Sequence, residues 1–151
     1  MKKFSIISLG CPKNLVDSEI FADIAIKAGY KFVENPSDAE YIIINTCGFI
    51  EDAKQESINT ILEIAEYKKS SEKTKLIVTG CLVKRYIEDL KTAIPEVDHY
   101  VQLKDFRSFA DILNSEQTTS RFQLTPPHFA YLRISDGCNN VCSYCAIPYI
   151  R

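Results

Sequence analysis

Six cysteines fall into two groups that could each hold a metal centre. Cys138, Cys142 and Cys145 stand in the stretch GCNNVCSYC, a Cys-x3-Cys-x2-Cys spacing that can wrap one iron–sulfur cluster and leave its fourth iron open. Zinc is a rival, although a structural zinc site asks for four closed ligands, and His128 lies ten residues upstream on another run. A redox dithiol in CSYC is a further alternative, but that motif opens the first helix of its fold. The other three, Cys11, Cys47 and Cys81, are distant in sequence yet share one setting. FSIISLGC, YIIINTC and KLIVTGC each run an apolar, β-rich segment into a cysteine that has a glycine beside it: Gly10, Gly48 or Gly80. Glycine lets the backbone turn tightly and come close to a bound group. A cysteine at a strand end can also be an ordinary small buried residue, but the repetition of one context three times favours a common ligand.

The elements that would position these thiols alternate along the chain. Apolar residues recur at i, i+3, i+4 and i+7 in Phe21/Ile24/Ala25/Ala28, Ile58/Ile61/Leu62/Ala65, Val83/Tyr86/Ile87/Leu90 and Phe106/Phe109/Ala110/Leu113, which predicts four amphipathic helices. Between them, residues 4–9, 31–33, 41–44, 76–78 and 99–101 are short and almost wholly apolar, as strands covered on both faces are. Strand–helix alternation predicts an α/β fold, a parallel sheet with helices on both faces in the flavodoxin-like or Rossmann-like manner. In such a sheet the carboxyl ends of the strands form the ligand-binding edge. Cys11, Cys47 and Cys81 are therefore expected to converge there.

This domain is expected to span 1–114. Residues 115–127, polar and ending in two prolines, read as a linker. Residues 128–151 read as one strand and a cysteine loop, too short to form a core of their own, and so as the incomplete start of a second domain. The whole chain of 151 residues is 46% hydrophobic and 25% charged, enough for one good core. Its net charge is −2, with no long basic run, which gives no support for a dominant nucleic-acid surface. No apolar run approaches the length of a membrane span. The start, MKKFSIISLGC, imitates a lipoprotein signal, but its apolar stretch is too short. A cytoplasmic location is expected, where clustered cysteines bind metal or do chemistry more often than they form disulfides.

With these motifs in view, the sequence resembles the radical S-adenosylmethionine methylthiotransferases. CNNVCSYC looks like the signature of the radical-SAM superfamily, and SLGCPKNLVDSE, INTCGFI and VTGCLVKR look like the amino-terminal domain of the methylthiotransferases. The resemblance implies that Cys138, Cys142 and Cys145 hold a [4Fe–4S] cluster that binds S-adenosylmethionine, with Tyr144 against the adenine. It implies a second [4Fe–4S] cluster on Cys11, Cys47 and Cys81 that delivers the sulfur. It further implies a chain cut just inside a radical-SAM barrel, inactive alone, and a reductant protein such as a flavodoxin or ferredoxin. SLGCPKN is similar to the RimO type, which modifies an aspartate of a small-subunit ribosomal protein, whereas tRNA-modifying relatives tend to carry GCQ-x-N here. A tRNA methylthiotransferase is the alternative within the class, and a non-catalytic α/β module with a zinc-bound tail is the alternative outside it. Lys13, Asn14, Asp17 and Glu19, beside Cys11, read equally well as the polar first turns of a helix, and Asn45 and Thr46 as residues shaping the turn before Cys47.

Overall fold

Isoleucine and valine dominate the segments before Cys47 and Cys81, and these segments form the centre of a sheet. In the computed structural model, which describes residues 2–71 and 73–151, β1 (Lys3–Ser8), β2 (Lys31–Phe32), β3 (Tyr41–Thr46), β4 (Lys75–Gly80) and β5 (His99–Tyr100) lie in the order β2-β1-β3-β4-β5. Every pairing is parallel. Side chains alternate across the sheet, so consecutive isoleucines serve opposite cores. Ile43 and Ile77 face one layer; Ile42, Ile44, Leu76 and Val78 face the other.

Each layer is closed by two helices. Phe21 and Ile24 of α1 (Pro12–Lys27) and Phe109 and Leu113 of α4 (Phe106–Leu113) cover the first face. Ile61 and Ala65 of α2 (Glu51–Lys69) and Val83 and Leu90 of α3 (Cys81–Ala93) cover the second. The four expected apolar stripes are thus the buried faces, with one exception. Leu62 is 48% exposed, because α2 turns Ser57, Ile61 and Ala65 inward and residue 62 falls about 100° further round the helix. Helix α4 ends at Asn114, which adopts the left-handed conformation (φ 53°, ψ 46°) that asparagine tolerates at a helix terminus.

After β1 the chain goes outward to β2, then crosses back to place β3 on the other side of β1. Helix α1, which follows β1, and helix α2, which follows β3, consequently lie on opposite faces. The crevice where such a sheet reverses direction lies at the carboxyl ends of β1 and β3, where ligands bind.

Beyond Asn114 the structure departs from expectation. Residues 128–135 form no strand; the only regular element among the described residues after α4 is the single turn α5 (Ile147–Ile150). An extended run needs a neighbouring strand to pair its backbone, and this one lies against α1 instead of joining either edge of the sheet. Nor is 115–127 a free connection. Phe122 packs on Phe32 with ring centroids 5.7 Å apart, its N–H donates to the Glu19 carbonyl at 3.0 Å, and Ser115 Oγ donates to the Ile24 carbonyl at 3.2 Å.

Asp98 fastens the short β5 to its neighbours. Its carboxylate accepts the Leu76 N–H at 2.8 Å and pairs with Lys68 at 2.6 Å and Lys75 at 3.0 Å. Partial burial alone would raise its pKa, but these donors outweigh it and hold the carboxyl below the usual carboxylate range. Asp98→Asn is expected to cost about 1–2 kcal/mol at neutral pH, measured by denaturant unfolding. Because the folded-state pKa is the lowered one, this stabilisation is complete above the unfolded value of about 4 and disappears as pH falls through the folded value. The gap between wild type and variant should therefore close in acid.

Candidate metal centre

Parallel register levels the strand ends. Ser8 is opposite Asn45, and Thr46 is opposite Gly80. Cys11 follows β1 and immediately precedes α1, Cys47 follows β3, and Cys81 is the first residue of α3. Two of the three cysteines, Cys11 and Cys81, thus sit at helix amino termini.

Close backbone approach brings the three loops together. A Cβ on Gly10 would come within 2.8 Å of Cys47 Sγ, so only glycine lets the Cys11 loop lie over the Cys47 thiol. Gly80 has φ 104°, a conformation that disfavours any side chain, and a Cβ there would lie 2.5 Å from Asn45 Oδ1. Gly48 abuts the backbone of Cys81 and Leu82. Cys47 and Cys81 are buried and Cys11 is exposed, so the edge has a closed side and an open side.

Polar side chains behind the thiols hold the loops in place. The carboxamide of Asn14 donates to the Leu9 carbonyl at 2.9 Å and the Thr46 carbonyl at 2.8 Å, and its oxygen accepts from Cys81 Sγ at 3.5 Å. Asn45 reciprocates, donating to the Asn14 carbonyl at 2.8 Å and to Ser18 Oγ at 3.0 Å. Ser57 of α2 accepts the Cys47 N–H and donates to the Cys47 carbonyl. Arg85 of α3 donates to the Gly48 carbonyl at 2.7 Å. Asn14, Asp17 and Glu19 are fully or almost fully buried, so they are internal ties and not the solvated first turns of a helix. The signal in the sequence was a polar stripe, Asn14/Asp17/Ser18 at i, i+3 and i+4, on a helix next to a cysteine.

Burial pushes the Cys81 thiol up to about 11; the neighbouring Cys47 and Cys11 thiols add to this, while the Arg151 guanidinium opposes it. The second group lies on a loop: Cys138 and Cys142 are exposed, Cys145 is half-buried and Tyr144 is 90% exposed. Beyond this loop's end the chain reaches the first site, where Arg151 donates to Asn14 Oδ1 at 2.8 Å, and upstream of the loop Tyr131 walls an open cleft of about 180 Å³ together with Gly10, Cys11 and Leu15.

The first group fits a cluster in its donor set: three thiols line one edge, and the glycines let the loops that carry them pack closely against one another. Among the described residues, no three His, Cys, Asp or Glu side chains meet where they would ligate a single ion. A cubane cluster does not require this, because each thiolate takes its own iron.

Alkylation of the metal-free protein should separate the thiols. Cys11, Cys138 and Cys142 are expected to react with iodoacetamide readily. Cys81, whose thiolate fraction is about a hundredfold lower than that of an unperturbed thiol, should be at least that much slower, as read by peptide mass spectrometry over time.

Comparison with known proteins agrees with this architecture. Residues 3–102 match the family described as uncharacterized protein family UPF0004. Across 99% of its length the chain is 50% identical to the ribosomal protein uS12 methylthiotransferase RimO of Sulfurihydrogenibium sp. (strain YO3AOP1), covering 35% of that protein. It is 45% identical over its full length to the RimO of Caldicellulosiruptor saccharolyticus, covering 38%, and 43% identical over 99% of its length to that of Solibacter usitatus, covering 35%. The chain spans little more than a third of the length of these relatives. It belongs to the UPF0004 family, and within it resembles the RimO-type methylthiotransferases.

Proposed function

We propose that the protein acts as a radical-SAM methylthiotransferase that adds a methylthio group to the β-carbon of an aspartate in ribosomal protein uS12. The observation that carries this reading is the convergence of three strand-end thiols at the β1/β3 crevice, beside a Cys-x3-Cys-x2-Cys loop, in a chain about 45–50% identical to RimO proteins. Replacing an unactivated C–H bond has no acid–base route at neutral pH, so the chemistry has to come from a cofactor that the protein holds and orients. Bound [4Fe–4S] clusters would supply it, one by reductive cleavage of S-adenosylmethionine to generate a hydrogen-abstracting radical, the other by carrying the transferred sulfur.

The chain's own residues have distinct parts in this. Cys138, Cys142 and Cys145 would hold the first cluster, and Tyr144, exposed beside Cys145, would offer its ring to the adenine. Cys11, Cys47 and Cys81 would hold the second. Cys81 must give up its proton for this, which makes loading easier as pH rises. Asn14, Asn45 and Ser57 keep the three loops in register whether or not metal is bound. Burial of Cys47 and Cys81 shields that side from water, and exposure of Cys11 leaves an approach for substrate. A flavodoxin- or ferredoxin-like protein in the cytoplasm would supply electrons. Among the described residues no helix is long and apolar enough to cross a membrane.

Anaerobic reconstitution tests the reading. Iron and acid-labile sulfide should be taken up in two portions, one lost when Cys11, Cys47 and Cys81 are replaced by alanine and the other when Cys138, Cys142 and Cys145 are. Zinc without sulfide would refute it. With the full-length protein, S-adenosylmethionine and a strong reductant, uS12 and not tRNA should gain the mass of a methylthio group.

A further inference from the structure

The two cysteine groups are joined by buried charge. Asp17, in the second turn of α1 and fully buried, shares its two carboxylate oxygens between two arginines of the tail. Oδ2 accepts from Arg151 Nη2 at 2.8 Å, and Oδ1 accepts from Arg133. The Arg151 side chain is itself only 2% exposed. The same Nη2 donates to Asn14 Oδ1 at 2.8 Å, and Nη1 donates to Asp136 Oδ1 at 2.9 Å. Lys104, on the segment after β5, pairs with the other oxygen of Asp136.

Asp136 and Arg151 flank the cysteine loop, one on each side. Their ion pair draws the ends of the loop together, and Gly137 lies so close to the Arg151 carbonyl that no side chain would fit between them. The closed loop is then fastened to α1 through Asn14, the residue that also ties the Leu9 and Thr46 carbonyls and meets the Cys81 thiol.

We infer that Asp17 is a positioning residue, a latch that binds the base of the Cys138–Cys145 loop through Arg151 and Arg133 and so sets where the second thiol group stands relative to the first. Both carboxylate oxygens accept from guanidinium groups of the tail, which is the geometry of a structural tie. Charge-assisted pairs of this kind fix direction as well as distance, and a buried carboxylate stripped of its cationic partner is left uncompensated. The latch's geometry is independent of any metal; its purpose, to hold two clusters at a set separation, rests on the proposed function.

The test uses Asp17→Asn, which keeps the shape and removes the charge, and Arg151→Gln, which acts from the loop side and leaves α1 intact. In metal-free full-length protein, hydrogen exchange followed by mass spectrometry should speed up about tenfold or more across residues 131–151 in both variants, while β1, β3 and β4 keep their protection. Unchanged exchange of the loop in Arg151→Gln overturns the inference. So does loss of protection spread equally over the sheet in both variants, which would make these residues general core supports. After reconstitution, the magnetic interaction between the two reduced clusters, seen as broadening in electron paramagnetic resonance, should weaken in Asp17→Asn at unchanged iron and sulfide content. An unaltered interaction overturns the positioning role. A protein that never takes up two clusters refutes the proposed function instead, and the exchange result still decides whether the latch exists.

Discussion

The carboxamide of Asn14 is the tie on which the cysteine edge depends. From one side chain it donates to the carbonyls after β1 and at the end of β3, and it accepts from the Cys81 thiol after β4 and from the Arg151 guanidinium. Three loops and the tail therefore meet at a group with no net charge. A buried amide left without partners costs about 1–3 kcal/mol, and here its donors and its oxygen are all engaged. Asn45 completes the arrangement from the opposite side, bonding the backbone of Asn14 itself. The loops after β1 and β3, which leave the sheet toward opposite faces, would otherwise have only the strand register to hold them level.

Helix α1 combines two chemistries on one cylinder. Phe21, Ile24 and Ala25 face the apolar core, while Asn14, Asp17, Ser18 and Glu19 are buried polar residues at its amino-terminal end. Each of these is satisfied by a specific partner: Asp17 by Arg133 and Arg151, Ser18 by Ser8 and Asn45, Glu19 by Arg121 and the Leu124 N–H. Buried ion pairs contribute little net stability, yet breaking one by removing a single partner costs about 3–5 kcal/mol. Their effect is specificity: a tail carrying arginines at 121, 133 and 151 has one place to lie. The tail buries few large side chains of its own, with Leu132, Ile134 and Val141 mostly exposed, so its position is set by charge and hydrogen bonding more than by apolar packing.

Much of the fold was legible in the chain. Strand and helix alternation, the parallel sheet and the buried stripes follow from periodicity and turn chemistry, which are local properties. The convergence of Cys11, Cys47 and Cys81 was legible as well, since each ends a strand and the strands of a parallel sheet share an edge. The strand expected within residues 128–135 was not realised, because β propensity describes how a segment suits a pleated surface, and no neighbouring strand is present to supply one.

Asn14, Asp17 and Glu19 show most clearly where local reading stops. In sequence a carboxylate near a helix start is ordinary, and its solvated form is the default. Whether it is buried depends on what arrives from elsewhere, here arginines more than a hundred residues away. By itself the sequence determined which segments up to Asn114 are strands and helices and which strand ends carry cysteines, because propensity, periodicity and residue type are properties of neighbouring residues. Only the tertiary structure decided which polar residues are internal ties and how the second cysteine loop is fastened to the first site, because burial and ion pairing depend on distances between segments that the chain order leaves open.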